Sequence, residues 1–377
     1  MKNKFLKLLP ALSSLALVAC SALLPSVHSE AAETHVAESE ASVTAAAEET
    51  RVSSRLWELL FGTGEGSEST SGEAADTPRL IPGGTVFGAK IKTRHLTVTE
   101  DESALGILAG DEIIRIDGKE ISGTADVKKI LSEHTGGTLE VVLLRKNEEI
   151  VRKITPEACD GGYKLGLSLR DGAAGIGTVT FIDPATHAFG GLGHGICDPA
   201  SGAVVEMKSG EVTGVILGGV KRGEAGKPGE LRGILTDKCA GELVSNTSAG
   251  VFGNLNETPD ASLAIPVAKS SEVHTGEAKI ISTVKSGLTR EYRIEISEIT
   301  KSTDGTKCFK IKVTDPVLIA LSGGIVRGMS GSPIIQDGKL VGAVTHVMIS
   351  NPTEGYGIFI ENMLNASNAR NELPKAA

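Results

Sequence analysis

The sequence predicts a mainly β protein with two folded domains behind a leader, on three observations. The chain has 377 residues, enough for two hydrophobic cores. Aromatic residues make up only 3% while glycine contributes 46 residues, so those cores must be built mainly from Val, Ile, Leu and Ala. Short apolar runs interrupted by glycine recur along most of the length, the pattern of strands and tight turns. A net charge of −9 argues against a nucleic-acid partner, which calls for basic patches. The five cysteines are Cys20, Cys159, Cys197, Cys239 and Cys308. No C-x-x-C pair occurs and no Cys/His group has zinc-ligand spacing, so neither a metal site nor a cofactor is expected. The four later cysteines read as separate thiols, with one disulfide among them as the alternative if the protein is exported.

Residues 1–29 read as an export signal or membrane anchor: Lys2, Lys4 and Lys7 precede an apolar stretch interrupted by Pro10 and Pro25. Leu17-Val18-Ala19-Cys20 resembles a bacterial lipobox, in which Cys20 becomes the lipidated first residue; a signal peptide that happens to hold a cysteine is the alternative. Either way the bulk of the chain is expected outside the cytoplasm. Residues 30–79 are rich in Ala, Glu, Ser, Thr and Gly and carry too few large apolar side chains to fold alone, which predicts an acidic, disordered linker. Leu56, Trp57, Leu59, Leu60 and Phe61 interrupt it and suggest one short helix. Exposed chain on either side is a natural place for nicking, self-cleavage included.

The first folded domain is expected over residues 80–156. Gly110-Asp111 makes a tight turn, residues 112–116 form a short strand, and Asp117-Gly118 reverses it. Val127, Ile130 and Leu131 recur at helical spacing and place one apolar face against the sheet. The run Ala104-Leu105-Gly106-Ile107-Leu108-Ala109-Gly110-Asp111-Glu112-Ile113-Ile114-Arg115-Ile116-Asp117-Gly118 resembles the centre of PDZ domains. That family adds an extended peptide as a strand beside its helix and holds the ligand's end in a glycine-rich loop. Gly83, Gly84, Val86, Phe87 and Gly88 are the candidate loop here. A purely structural or inhibitory domain is the competing reading.

The second domain is expected over residues 162–369, where short strands punctuated by glycine continue to the end. Its most informative stretch is Gly324-Ile325-Val326-Arg327-Gly328-Met329-Ser330-Gly331-Ser332-Pro333. Glycines around Ser330 allow a tight turn and bring bare N–H groups near a bound carbonyl; those of Gly328 and Ser330 would form an oxyanion hole. Residues 333–336 and 339–344 read as two strands joined by Asp337-Gly338, a strong hairpin signal. The segment resembles the nucleophile turn of chymotrypsin-like serine peptidases, and the resemblance implies a double β-barrel.

A serine hydroxyl needs a base within reach. Of His187, His194, His274 and His346, His194 is the candidate, because flanking glycines in Gly193-His194-Gly195 expose its ring at a strand end. His346 reads as an ordinary strand residue, and His187 and His274 as solvated. For the group that orients the base, Asp315 at the end of an apolar strand is preferred over Asp198, which reads more simply as a turn residue.

Export segment, PDZ-like unit, Gly193-His194-Gly195-Ile196, Thr314-Asp315-Pro316 and the Gly323–Ile335 run occur in one order. That arrangement resembles the sporulation stage IV protein B peptidases of endospore-forming bacteria. The resemblance implies a catalytic set of His194, Asp315 and Ser330. It further implies a protein that cleaves itself in the space between forespore and mother-cell membranes. It then clips a membrane-bound regulator of an intramembrane protease, which activates a sigma factor. The implied partners are that protein substrate, a peptide ligand of the PDZ domain, and the chain itself. The alternative is a non-catalytic exported adaptor with a degenerate peptidase barrel. Asp315 precedes Ser330 by only 15 positions, shorter than ordinary chymotrypsin-like spacing.

Overall fold

The computed structural model describes residues 77–199, 201–285, 287–300 and 305–368. The expected export signal, the short helix at residues 56–61, Cys20 and all but the last few linker residues lie outside them.

Two strands open the fold, β1 (Arg79–Pro82) and β2 (Val86–Val98). An insert follows: β3 (Glu112–Ile116), β4 (Lys119–Glu120), α1 (Thr124–Glu133), β5 (Leu139–Arg145), β6 (Glu148–Ile154), β7 (Glu157–Cys159) and β8 (Gly162–Lys164). The chain then returns through β9 (Leu169–Ile182), β10 (Ala188–Gly191), β11 (Met207–Lys221), β12 (Glu230–Thr247), β13 (Gly250–Leu255) and β14 (Ile265–Pro266). Along one path the strands run β9-β10-β13-β12-β11-β2, and a further β2–β9 pairing closes them into a ring. Phe87 and Phe189 meet edge to face at 5.7 Å inside it, among Ile91, Val179, Leu243 and Val251.

A second closed barrel runs β15-β16-β17-β20-β19-β18. Its strands are β15 (Gly276–Lys285), β16 (Leu288–Ile299), β17 (Phe309–Val313), β18 (Pro333–Gln336), β19 (Lys339–Met348) and β20 (Asn351–Phe359); α2 (Pro316–Ser322) and α3 (Ile360–Asn368) lie among them. Ile280, Ile294, Phe309, Ile311 and Ile334 fill it and are fully buried, so branched aliphatics around a few aromatic rings do the work that composition assigned them. Asp337 and Gly338 both adopt positive φ, 51° and 74°, the two-residue turn that joins β18 to β19.

The insert has its own core of Leu96, Ile107, Ile113, Ile116, Val141 and Leu143, against which α1 lays Val127, Ile130 and Leu131. Its Gly110-Asp111 turn is closed from within: the 1%-exposed Asp111 carboxylate takes two bonds of 2.6 Å from the Arg145 guanidinium and a third from the Leu108 N–H. A buried charge of this kind persists because every oxygen is satisfied.

The boundary expected at residue 80 is corrected. β1 pairs with β9 and β14, and residues 86–92 of β2 pair with β9 and β11, so this segment is barrel wall. Only the end of β2, from Leu96, turns into the insert by pairing with β3. The candidate peptide-binding loop moves with it. The Gly83 and Gly84 N–H groups donate to the Thr180 and Val179 carbonyls, Val86 pairs with Thr178, Phe87 is core, and Gly88 sits between Ile176 and Thr213. The Gly83 and Gly84 donors are already spent within the barrel and are not free to hold a ligand's carboxylate.

Candidate active site

Ser330 stands on the turn between α2 and β18. The turn is pinned on both sides: the Gly331 N–H donates to the Val344 carbonyl at 2.7 Å, and the Ser330 carbonyl accepts from the Thr178 N–H at 2.9 Å. Thr178 and Thr180 hydroxyls, from β9, donate to the Gly328 and Gly331 carbonyls, each at 2.8 Å. A Cβ on Gly331 would lie 2.1 Å from the Thr178 oxygen, so glycine is required for this close approach to the other barrel.

His194 follows β10 on a loop that returns at β11. The Asn246 side chain staples that loop, accepting from the Ile196 N–H and donating to the Ile196 and Val205 carbonyls at 2.8–2.9 Å. The ring itself is held by its Nδ1, 2.9 Å from the Gly195 carbonyl. A carbonyl only accepts, so Nδ1 carries the proton and Nε2 presents its lone pair. Burial holds the imidazole below its ordinary value of 6.5, an effect partly offset by the Gly195 carbonyl. The neutral, proton-accepting form therefore prevails at neutral pH.

His194 and Ser330 line one cavity of about 410 Å³ together with Arg327, Gly328, Thr345 and His346. Ser330 donates its hydroxyl proton to the Thr345 carbonyl at 2.9 Å. Neither the Gly328 nor the Ser330 N–H takes an acceptor among the described residues, which leaves both for a ligand oxygen. His346 is the residue that sequence reasoning set aside. Its ring centroid lies 5.2 Å from that of His194, on the cavity wall. The β19–β20 register shifts between Val344, a core residue, and His346, so the strand's alternation breaks at that point and gave no signal for its place in the site.

Asp315 is not brought to His194, which corrects the expected third member. Its carboxylate accepts from the Val317 and Leu318 N–H groups at 2.9 and 3.2 Å and from the Arg293 N–H at 3.3 Å, making it the N-cap of α2 with Pro316 in the first turn. Asp198, the rival, is ion-paired to Arg170 and accepts from Ser201. The orienting role a carboxylate would play at Nδ1 falls to a backbone carbonyl.

The family model described as SpoIVB peptidase S55 matches residues 161–364. The chain belongs to that family. The family is one of peptidases, and the fold here is mainly β and built on barrels. Among solved structures, the S55 peptidase is similar to the Rv3671c protease from M. tuberculosis in its active form, at 14% identity and a TM-score of 0.34, covering 54% of this chain and 77% of that one. It is also similar to the HtrA-type protease AlgW with tripeptide, at 13% identity and a TM-score of 0.33, covering 53% and 56%. One curated relative, a putative zinc metalloprotease of Mesorhizobium japonicum, is 30% identical over 90 residues, and the chain spans 24% of its length. Among the described residues no three His, Cys, Asp or Glu side chains gather as they would around a metal.

Proposed function

We propose that this S55 peptidase cleaves peptide bonds with Ser330 as nucleophile and His194 as its general base. The reading rests on one observation: a single cavity gathers the Ser330 hydroxyl, the His194 ring with Nε2 unprotonated, and two unengaged N–H groups. Ser330 rotates its hydroxyl from the Thr345 carbonyl toward His194. Its proton passes to Nε2 as Oγ bonds to the substrate carbonyl carbon. The carbonyl oxygen gains the electron pair and is held by the Gly328 and Ser330 N–H groups. Collapse expels the amine, which takes the proton from Nε2, and water then hydrolyses the acyl-enzyme by the same route in reverse.

The finer role follows the family. The protein acts outside the cytoplasm, between forespore and mother-cell membranes; it cuts itself and then a membrane-bound regulator of an intramembrane protease. The insert is a PDZ domain that selects the substrate. Its peptide groove is better sought between α1 and residues 165–171 than at residues 83–88. There Leu165, Leu167 and Leu169 pack with the insert's core, and Thr124 at the start of α1 donates to the Asp171 carboxylate. A fluorophosphonate probe on the full chain, mapped by peptide digestion, should mark position 330. The full chain should fragment itself and cut the membrane-bound regulator in vesicles, while Ser330→Ala does neither. Equal fragmentation of both proteins removes Ser330 as the nucleophile.

A further inference from the structure

The loop joining β11 to β12 leaves the first barrel and lies on the second. The Arg222 guanidinium donates to the Ile319 and Ala320 carbonyls near the end of α2 at 2.7 and 2.6 Å. The Gly223 N–H donates to the Ser322 carbonyl and the Gly226 N–H to the Ile349 carbonyl, each at 2.8 Å. One loop thus stitches together the end of α2 and the turn after β19, which flank the cavity.

Its last contact reaches the oxyanion hole itself. Arg327 donates its N–H to the Gly229 carbonyl at 3.0 Å, and its carbonyl accepts from the Leu231 N–H at 2.8 Å, so residues 229–231 form a short parallel bridge with Arg327. The carbonyl and N–H of one peptide point in opposite directions. With the Arg327 oxygen drawn to Leu231, the Gly328 N–H is directed the other way. Gly328, at φ 97°, has no side chain to resist rotation of that peptide, so nothing in its own chemistry fixes which end faces the cavity. A reversed peptide would present a carbonyl oxygen to the developing oxyanion and repel it.

We propose that the β11–β12 loop and the start of β12 are the positioning element of the oxyanion hole: Leu231 sets the Arg327–Gly328 peptide, and Arg222 anchors the loop that leads into Leu231. The proposal rests on the serine-nucleophile reading above. Gly229 marks how tightly the loop fits, because a Cβ there would lie 2.3 Å from the Lys221 oxygen, 2.5 Å from the Gly223 nitrogen and 2.7 Å from Val326 Cγ1.

The test compares the full chain with its Gly229→Ala, Arg222→Ala and Arg222→Lys forms on a fluorogenic peptide. Removing an oxyanion donor costs about 10²–10³-fold in kcat, so Gly229→Ala should approach a roughly hundredfold loss and Arg222→Ala roughly tenfold, with KM within about threefold. Arg222→Lys, which keeps a cation on the same carbonyls, should recover most of the loss. A peptide aldehyde, whose adduct needs the hole, should bind more weakly in step with kcat, while the matching peptide alcohol binds as before. Should Gly229→Ala not fold, the exposed Arg222 pair decides alone. Unchanged kcat in Arg222→Ala, or aldehyde and alcohol affinities falling together, overturns the proposal. A wild-type chain with no hydrolysis and no labelling at Ser330 overturns the nucleophile reading instead.

Discussion

The two barrels hold their halves of the site by different means. Ser330 is fixed by backbone: its turn is tied to β19 of its own barrel and to β9 of the other, and its neighbours Met329 and Ser332 are fully buried. His194 rides on a loop between β10 and β11 that is closed by backbone bonds such as Val205 N–H to the Ile196 carbonyl and is further held by one amide, Asn246, and by the ion pair of Asp198 with Arg170. The proposed nucleophile therefore sits on a turn bonded to both barrels, whereas the proposed base sits on a loop whose backbone bonds stay mostly within itself and whose side-chain ties are few. On the proposed mechanism, loss of the hydroxyl would remove the chemistry, while loosening of the loop would leave the chemistry intact and spoil its alignment.

That contrast is open to breaking. The largest effect is expected for Ser330→Ala, a loss of roughly 10⁴–10⁶-fold in kcat with melting temperature nearly unchanged, measured on a fluorogenic peptide and by thermal unfolding. Asn246→Ala touches no substrate but removes three hydrogen bonds from the loop after His194. A kcat roughly tenfold to a hundredfold lower is expected, since small misplacements of a base are costly. Wild-type turnover in that variant would show that the first barrel holds its half as firmly as the second.

The pH dependence reads the environment of His194 directly. Because burial lowers its affinity for protons, the acidic limb of kcat/KM for the free enzyme should fall below pH 6.5. The same shift acts on stability. In the unfolded chain the group titrates near 6.5 and in the folded chain lower, so its contribution is complete above 6.5 and erodes as pH falls. A limb above pH 7 would assign the base elsewhere, with His346 the first residue to substitute. The smallest effect separates the site from its surroundings: Asp315→Ala should cost about 1 kcal/mol of stability, as for loss of a helix N-cap, and leave kcat within about twofold. Asp315→Asn, which can still cap, should be close to silent in both.

What the sequence disclosed follows how local each feature is. The Gly328–Pro333 turn, the Asp337-Gly338 hairpin and the Val127–Leu131 helical face are decided by neighbours along the chain, and they read directly. His194 was legible because glycines flank it in sequence, although its ring, expected to be exposed, is largely buried beside His346. Asp315 misled because a carboxylate before proline at a strand end has two meanings. The run Pro316-Val317-Leu318-Ile319 after it, a helix opening on proline, was the sign that it caps rather than relays. Residues 80–92 were misassigned for another reason. A β strand that serves two sheets in turn changes partners without changing composition, and its pairing with β9 and β11 spans more than 70 positions. The hold of Leu231 on Arg327 is of the same kind, a backbone bond across almost 100 positions that no side chain announces.

The way in and the way out of the insert lie side by side. β2 and β9 pair at Val86–Lys92 with Thr178–Gly172, and again at Thr97 and Val98 with Arg170 and Leu169. The intervening residues form a cassette hung from a two-stranded stem, and both of its ends are annealed into one sheet. A single cut anywhere in that cassette would leave two polypeptides clasped across the barrel, so clipping there need not set the two catalytic halves adrift.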